Sequence, residues 1–220
     1  MKILFICSNL IGDTILSSGA INYIINQNQE AKLTFVVGPT AAPLLQNYKN
    51  IENIIIFKKR KLNLHWLDIF QKTYSIKWDI IVDFRSSALS LLLKNNKKYI
   101  FKKNHNIHHI EQLNSSFGFE CSNLFIPTSD DEANIVNNHL DSSFMHVVIF
   151  PGGNWTPKLW SAESYNETMK LLIDKYDKIK FILVGSLKEK NKFYNILIKN
   201  IKEDLLIDLF GYDLTLTSAY

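Results

Sequence analysis

A glycine pair and a lysine follow one apolar run of the chain, in the segment PGGNWTPKLWS over residues 151–161. Two glycines allow a ligand to approach the backbone closely, and Lys158 supplies a fixed cation. Ser161 is a good N-cap for the helix predicted next, whose positive end would face the same space. Together these parts fit a diphosphate. The alternative is a helix-entry loop in which Trp155 and Trp160 pack as anchors of the core.

A carboxylate occupies a similar position after the first apolar run, in the turn SNLIGDT over residues 8–14. In a parallel α/β sheet such a turn opens at the carboxyl edge, where ligands bind, and Gly12 would let the backbone bend tightly before Asp13. The alternative is that Asp13 only N-caps the first helix. The glycine fingerprints of dinucleotide-binding and P-loop proteins are absent from the sequence.

A third polar residue follows a strand-like run, in FILVGSLKE over residues 181–189. Glu189 there could accept hydrogen bonds from ribose hydroxyls, as acids after such strands often do. An equal alternative is a first-turn acid that suits the dipole of the following helix.

Alternating short apolar runs and segments of helical spacing must position these residues, a pattern typical of βαβ units on a parallel sheet. Near-continuous apolar strands indicate that helices cover both faces of the sheet. The predicted strands are 3–7, 33–38, 54–57, 79–84 and 99–101, and the predicted helices are 13–26, 41–46, 65–73, 86–93 and 108–117.

A polar stretch, 128–144, which we interpret as a polar helix and a connector, separates this first alternation from a second one. The second alternation predicts strands over 147–151, 181–185 and 206–209, with helices over 162–175 and 188–202. We therefore expect a first domain over 1–128, a linker over 129–145 and a partial second domain over 146–220.

The composition is that of an ordinary globular protein of 220 residues, 46% hydrophobic and 21% charged. The net charge of +4 weakly favours anionic partners. Cys7 and Cys121 lack metal-ligand spacing, and Cys7 ends an apolar run that should be buried, which fits a reducing cytosol. No signal peptide and no run of roughly 18 apolar residues is visible. We therefore expect a cytoplasmic protein.

Four segments resemble the ADP-heptose:lipopolysaccharide heptosyltransferases, glycosyltransferase family 9, in order and approximate spacing: 2–18, 151–160, 183–189 and 209–216. The Gly-Asp and Lys-x-Trp elements are fairly specific in combination. The resemblance covers nearly the whole chain and implies a GT-B type α/β fold. That fold has two Rossmann-like doubly wound domains, the first binding the acceptor and the second the ADP-sugar.

The resemblance also implies residue roles. Asp13 looks like the general base that takes the proton of the acceptor hydroxyl in an inverting transfer. Lys158 resembles the family's diphosphate ligand, acting where other transferases use a metal, so that no metal and no cofactor beyond the ADP-sugar donor is implied. The remaining donor contacts would be Gly153 and Asn154 at the diphosphate, Glu189 at the ribose and Leu214 at the adenine.

The acceptor implied by the family is an anionic, lipid-linked glycan, held at Gly12, Arg60 and Arg85. For the lysine runs 58–61 and 94–103 a solvated charged face is the alternative. The lysine runs lack the interleaved aromatic residues of a nucleic-acid binder, so we expect no nucleic-acid partner. Such an acceptor implies peripheral contact with the inner face of the inner membrane.

The family continues into an Asp-(Ser/Thr)-Gly-x-x-His element that completes the donor pocket, and this chain ends before it. The second domain is therefore expected to be incomplete relative to the family. The alternative function is a non-catalytic remnant, or a module of the same fold that binds glycans or a partner.

Overall fold

The computed structural model describes residues 1–120, 123–153 and 155–219. It divides into two compact units, Met1–Pro127 and Thr128–Tyr220. Each has its own parallel sheet, which confirms the predicted α/β class.

The first unit is built on five parallel strands in the order β3-β2-β1-β4-β5. Because β1 lies between β2 and β4, the order reverses beside it, and the loops after β1 and β4 meet at one edge. The strands are β1 Lys2–Ile6, β2 Lys32–Val37, β3 Ile51–Ile56, β4 Trp78–Asp83 and β5 Asn95–Ile100.

Helices cover both faces of this sheet: α1 Ile11–Asn26, α2 His65–Thr73, α3 Leu89–Leu92 and α4 His109–Phe117. Side chains alternate across β1, so Ile3 and Phe5 join one core with residues of α1 and α4. Leu4 and Ile6 join the other, with residues of α2 and α3. Cys7 is buried as expected, and burial raises the pKa of its thiol.

The second unit has three parallel strands in the order β6-β7-β8. Ile149, Phe181 and Leu183 form its main core with residues of α6 and α7, while α5 packs against α8. The elements are α5 Asp130–His139, β6 Met145–Ile149, α6 Ala162–Lys175, β7 Ile179–Gly185, α7 Leu187–Leu197, β8 Leu206–Phe210 and α8 Leu214–Ala219.

Several predicted elements differ from the observed ones in type or bounds. The predicted helix 41–46 is a short 3-10 helix, Ala42–Leu45. β5 begins earlier than predicted, because its first residues are polar and did not resemble a strand. It is an edge strand with a single neighbour, so its exposed positions can hold lysines. The segment 129–145, predicted as a linker with a polar helix, lies in the second unit, where that helix is α5, started by a capping box of Ser129 and Glu132.

Among the helices of the described residues, none is both long and apolar enough to span a bilayer.

Candidate active site

A cavity of about 580 Å³ opens at the carboxyl edge of the first sheet, beside the neighbouring ends of β1 and β4. It collects side chains from the loops after β1, β3, β4 and β5 and from α1 and α4, as expected of residues at one edge of a parallel sheet. Its lining is Ser8, Asn9, Leu10, Asp13, Ser17, Lys59, Phe84, Arg85, Ser86, Phe101, Lys103, His109, Gln112 and Leu113.

Asp13 lies in this cavity as the third residue of α1. The N-cap position belongs to Leu10, which has no side-chain acceptor, so the N-cap interpretation of Asp13 is wrong. Ser8 Oγ donates to Asp13 Oδ2 at 2.9 Å. Among the described residues no group donates to Asp13 Oδ1, which leaves that oxygen available to a ligand hydroxyl.

Gly12 does not serve as the tight bend that the sequence suggested. It lies inside α1, without a positive φ, and a Cβ built there would meet no atom within 4 Å. It is outside the lining of the cavity, and its exposed backbone leaves open space beside Asp13 at the start of the helix.

A buried carboxylate, Asp83, shapes the loop that carries Arg85. Asp83 Oδ1 accepts the backbone N–H of Arg85 at 2.8 Å, and Oδ2 accepts both the N–H and the hydroxyl of Ser87, at 2.8 and 2.7 Å. Ser86 between them has φ 52°, in the left-handed region, and its hydroxyl donates to the carbonyl of Phe101. This turn explains why α3 starts later than the predicted helix 86–93.

The Arg85 guanidinium is held on several sides. Its Nη1 donates to Asn9 Oδ1 at 3.0 Å, and its central carbon lies 5.1 and 5.2 Å from the ring centroids of Phe57 and Trp66. Burial lowers the pKa of Arg85, and the Asp83 charge acts in the opposite direction. A guanidinium fixed on aromatic faces presents its remaining N–H groups in a defined direction, as recognition of a carboxylate or phosphate requires.

The structure divides the basic residues predicted to bind the acceptor. Lys59 and Lys103, from the two lysine runs, line the cavity with Arg85. Arg60 is absent from that lining: its Nη1 lies 2.7 Å from Asp68 Oδ2, beside a separate cavity of about 150 Å³. The cavity therefore combines one carboxylate with three cationic side chains.

Sequence reasoning missed two polar residues of α4 that line this cavity, His109 and Gln112. The His109 ring lies 5.2 Å from that of Phe101. Gln112 accepts from the N–H of Asn104 and donates to the carbonyl of Ile107, which fixes the loop before α4. No local pattern distinguishes such residues from ordinary helix positions.

The second unit has a smaller cavity, about 210 Å³, at the carboxyl edge of β7. Glu189 is held there by a capping box: its Oε2 accepts the N–H and hydroxyl of Ser186, at 2.7 and 2.8 Å. The predicted first-turn role of Glu189 is thus real, and its carboxylate also lies against Gly152. The lining is Gly153, Leu159, Ser186, Lys188, Glu189, Lys192 and Phe193.

The tryptophans of the 151–161 loop are not core anchors. Trp155 is 60% exposed and Trp160 is 52% exposed, so the packing interpretation is wrong for both. The Trp160 ring lies edge to face with that of Tyr165, with the ring centroids 5.1 Å apart. Lys158 Nζ lies 5.2 Å from the Trp155 ring centroid and is exposed, outside the lining of the 210 Å³ cavity.

Three further predicted positions have different outcomes. Ser161 is the N-cap of α6, accepting from the N–H of Ser164 at 3.0 Å, as predicted. Leu214 begins α8, outside the lining of the cavity. Asn154 lies outside the described residues. Where the structure describes the chain, no three His, Cys, Asp or Glu side chains are grouped so that they could hold a metal ion.

We expect Gly152→Ala to destabilise the second unit. The added Cβ would lie 1.7 Å from Glu189 Oε1, so the carboxylate would have to leave its cap on α7, at a cost of about 1 kcal/mol. Gly12→Ala is the control, since the added methyl meets nothing. Urea unfolding measures both free energies, and equal values for the two variants would contradict the close contact.

Comparisons with known proteins identify solved structures that share this architecture. No protein-family model matches the sequence, and no curated protein matches it significantly. A glycosyltransferase of family 9 from Veillonella parvula matches with TM-score 0.72 and 15% identity, over 99% of this chain and 72% of that chain.

Two Escherichia coli enzymes match similarly. Heptosyltransferase WaaC with ADP-2-deoxy-2-fluoro heptose has TM-score 0.71 and 15% identity, over 100% of this chain and 79% of its own. ADP-heptose lps heptosyltransferase II has TM-score 0.67 and 19% identity, over 100% of this chain and 75% of its own. The resemblance seen in the motifs is thus confirmed for the fold, and the chain has the GT-B type α/β fold of the heptosyltransferases and family 9 glycosyltransferases.

Proposed function

We propose that this protein is an inverting glycosyltransferase that moves a heptose-like sugar from an ADP-sugar to a lipopolysaccharide core acceptor. The observation that carries the proposal is the cavity of the first unit, where the Asp13 carboxylate keeps one oxygen available beside three cationic side chains. The fold adds support, because one matching structure contains an ADP-sugar analogue. The reaction takes place in the cytoplasm, at the inner face of the inner membrane.

Asp13 acts as the general base on the acceptor. Ser8 holds Oδ2, so Oδ1 receives the proton of the attacking hydroxyl. The hydroxyl oxygen then bonds to the anomeric carbon as the bond from that carbon to the diphosphate oxygen breaks, and ADP leaves with the electron pair. Attack opposite the leaving group inverts the anomeric configuration. Positioning contributes more to this step than basicity does.

The cationic side chains of the cavity hold the acceptor. Arg85, fixed by Asn9 and its aromatic neighbours, binds a carboxylate or phosphate of the inner core, and Lys59 and Lys103 add less directional attraction. Arg60 is left with a supporting role, since it is paired with Asp68.

The donor is bound by the second unit. Glu189 has Oε2 committed to its capping box, so Oε1 is the atom that accepts from a ribose hydroxyl. Gly153, Asn154 and Lys158 contact the diphosphate, with the Lys158 ammonium stabilising the charge that develops on ADP in place of a metal ion. Leu214 contacts the adenine.

The direct test is to incubate the purified chain with ADP-heptose and a lipopolysaccharide inner-core acceptor and to follow the glycosylated product and ADP by mass spectrometry. Product and ADP in equal amounts are expected. Binding of ADP by calorimetry without any product would contradict transfer and support the non-catalytic alternative instead.

We expect Lys158→Ala to lower kcat by about 10²- to 10³-fold, as removal of one group that stabilises a leaving-group charge does. Lys175→Ala is a matched control, because Lys175 is also exposed and also lies over a ring, that of Tyr176 at 5.3 Å. The two variants are compared by initial rates at saturating donor. Equal rates would remove Lys158 from the mechanism.

A further inference from the structure

The segment 58–77 of the first unit exposes apolar side chains among basic ones, which the proposed reaction does not explain. Leu62 is 91% exposed and has φ 54°, in the left-handed region that a leucine rarely adopts. Within the protein, neither packing nor a backbone preference accounts for a leucine there. A strained and exposed apolar residue indicates a functional surface.

Helix α2 continues this surface. Its inner face, with His65, Ile69 and Thr73, is buried against the sheet. Leu64, Leu67 and Tyr74 recur at spacings of three and seven residues on the opposite face, and all are exposed, Leu67 by 58%. We call Leu62, Leu64, Leu67 and Tyr74, with Lys61 and Lys72 of the same segment, the α2 surface.

The charge of this segment is strongly positive. Residues 58–77 contain six Lys or Arg and one acid, Asp68. Asp68 is paired with Arg60, so it leaves the remaining cations uncompensated within the segment. Exposed leucines flanked by lysines suit an anionic bilayer, where apolar side chains enter the interface and lysines meet phosphate headgroups.

The position of the α2 surface relates it to the candidate active site. Lys59, just before it, lines the cavity of Asp13, and Trp66 of α2 contacts the Arg85 guanidinium. A bilayer on this surface would therefore lie beside the acceptor cavity. A lipid-linked acceptor could enter that cavity with its lipid still in the membrane.

We propose that the α2 surface binds the surface of an anionic lipid bilayer. The inference extends the proposed function, in which the acceptor is lipid-linked. Vesicle binding is measured without donor or acceptor, however, so a failure of sugar transfer and a failure of membrane binding are separate results.

The experiment is co-sedimentation of the full chain with vesicles of phosphatidylcholine containing about 30% phosphatidylglycerol, compared with pure phosphatidylcholine. We expect binding to the anionic vesicles that weakens as salt rises. Equal binding to both vesicles, or binding to neither, would overturn the proposal.

Two apolar variants test the surface itself. Leu67→Gln keeps a good helix former and is expected to weaken binding about tenfold, since one interfacial leucine is lost. Leu171→Gln is the control, because Leu171 is 69% exposed on helix α6. Leu62→Asn should weaken binding similarly while keeping stability, because asparagine tolerates the left-handed region.

A charge variant completes the test. Lys61→Glu with Lys72→Glu should abolish the preference for anionic vesicles, and Lys175→Glu with Lys178→Glu, in the second unit, should retain it. Unchanged binding in the Lys61 and Lys72 variant would contradict the proposal. The proposal would also be overturned if the chain did not bind vesicles but formed a dimer by gel filtration that Leu67→Gln disrupted. The α2 surface would then bind a second copy of the chain.

Discussion

Asp13→Asn is expected to lower the transfer rate by about 10²- to 10⁴-fold, the range that loss of a general base produces. The amide cannot take the proton of the acceptor hydroxyl, although it has nearly the same shape and can still accept from Ser8. Because the change is isosteric, the KM values for donor and acceptor should stay near those of the unaltered chain. Steady-state kinetics with product quantified by mass spectrometry separates the two parameters.

Glu30→Gln is a suitable control for this result. Glu30 is an exposed carboxylate that precedes β2, at the sheet edge opposite the candidate site. The same loss of a negative charge there should leave kcat unchanged. If Asp13→Asn also kept its full kcat, Asp13 would not be the base, and the mechanism would need another proton acceptor.

Asp83→Asn should be the most destabilising single change near the site, lowering the free energy of unfolding of the first unit by about 2 to 4 kcal/mol. Asp83 has no exposed surface, and its two oxygens accept from the backbone of Arg85 and Ser87 and from the Ser87 hydroxyl. An asparagine offers one oxygen, and its NH₂ would face another donor. Urea unfolding of the variant measures the loss.

A second consequence of Asp83→Asn separates positioning from stability. Since Asp83 holds the backbone of Arg85, the variant should raise the KM for the anionic acceptor more than it lowers kcat, below the onset of unfolding. Asp141→Asn is the control, because Asp141 also accepts from an N–H two residues on, that of Ser143, but is exposed. That control should leave stability nearly unchanged, and an equal loss in both variants would contradict the argument from burial.

Among the strands, sequence reasoning located the well-buried ones more closely than the exposed ones. β1 and β7 are buried along most of their length, so their apolar runs indicated strands. The edge strand β5 was placed too late because four of its six residues are asparagine or lysine, which its lack of a second neighbour permits.

The candidate site was predictable in its parts and not in its assembly. Each polar residue after a strand could be assigned to the carboxyl edge, but which strands are neighbours is a non-local property. The pairing of β1 with β4 brings Asp13 and Arg85 to one cavity. The exposure of Trp155 and Trp160 was missed because large aromatic residues usually contribute to cores.

Asp13 and Arg85 follow two different strands, β1 and β4, and this arrangement affects how the protein can change over evolutionary time. The distance between their loops is set by backbone hydrogen bonds between β1 and β4, which substitutions of side chains do not alter. Under the proposed function, the loop after β4 can therefore exchange Arg85 for residues that recognise an acceptor of another charge while α1 keeps the Asp13 carboxylate. Under that proposal, the range of acceptors can change while the residue that takes the proton stays the same.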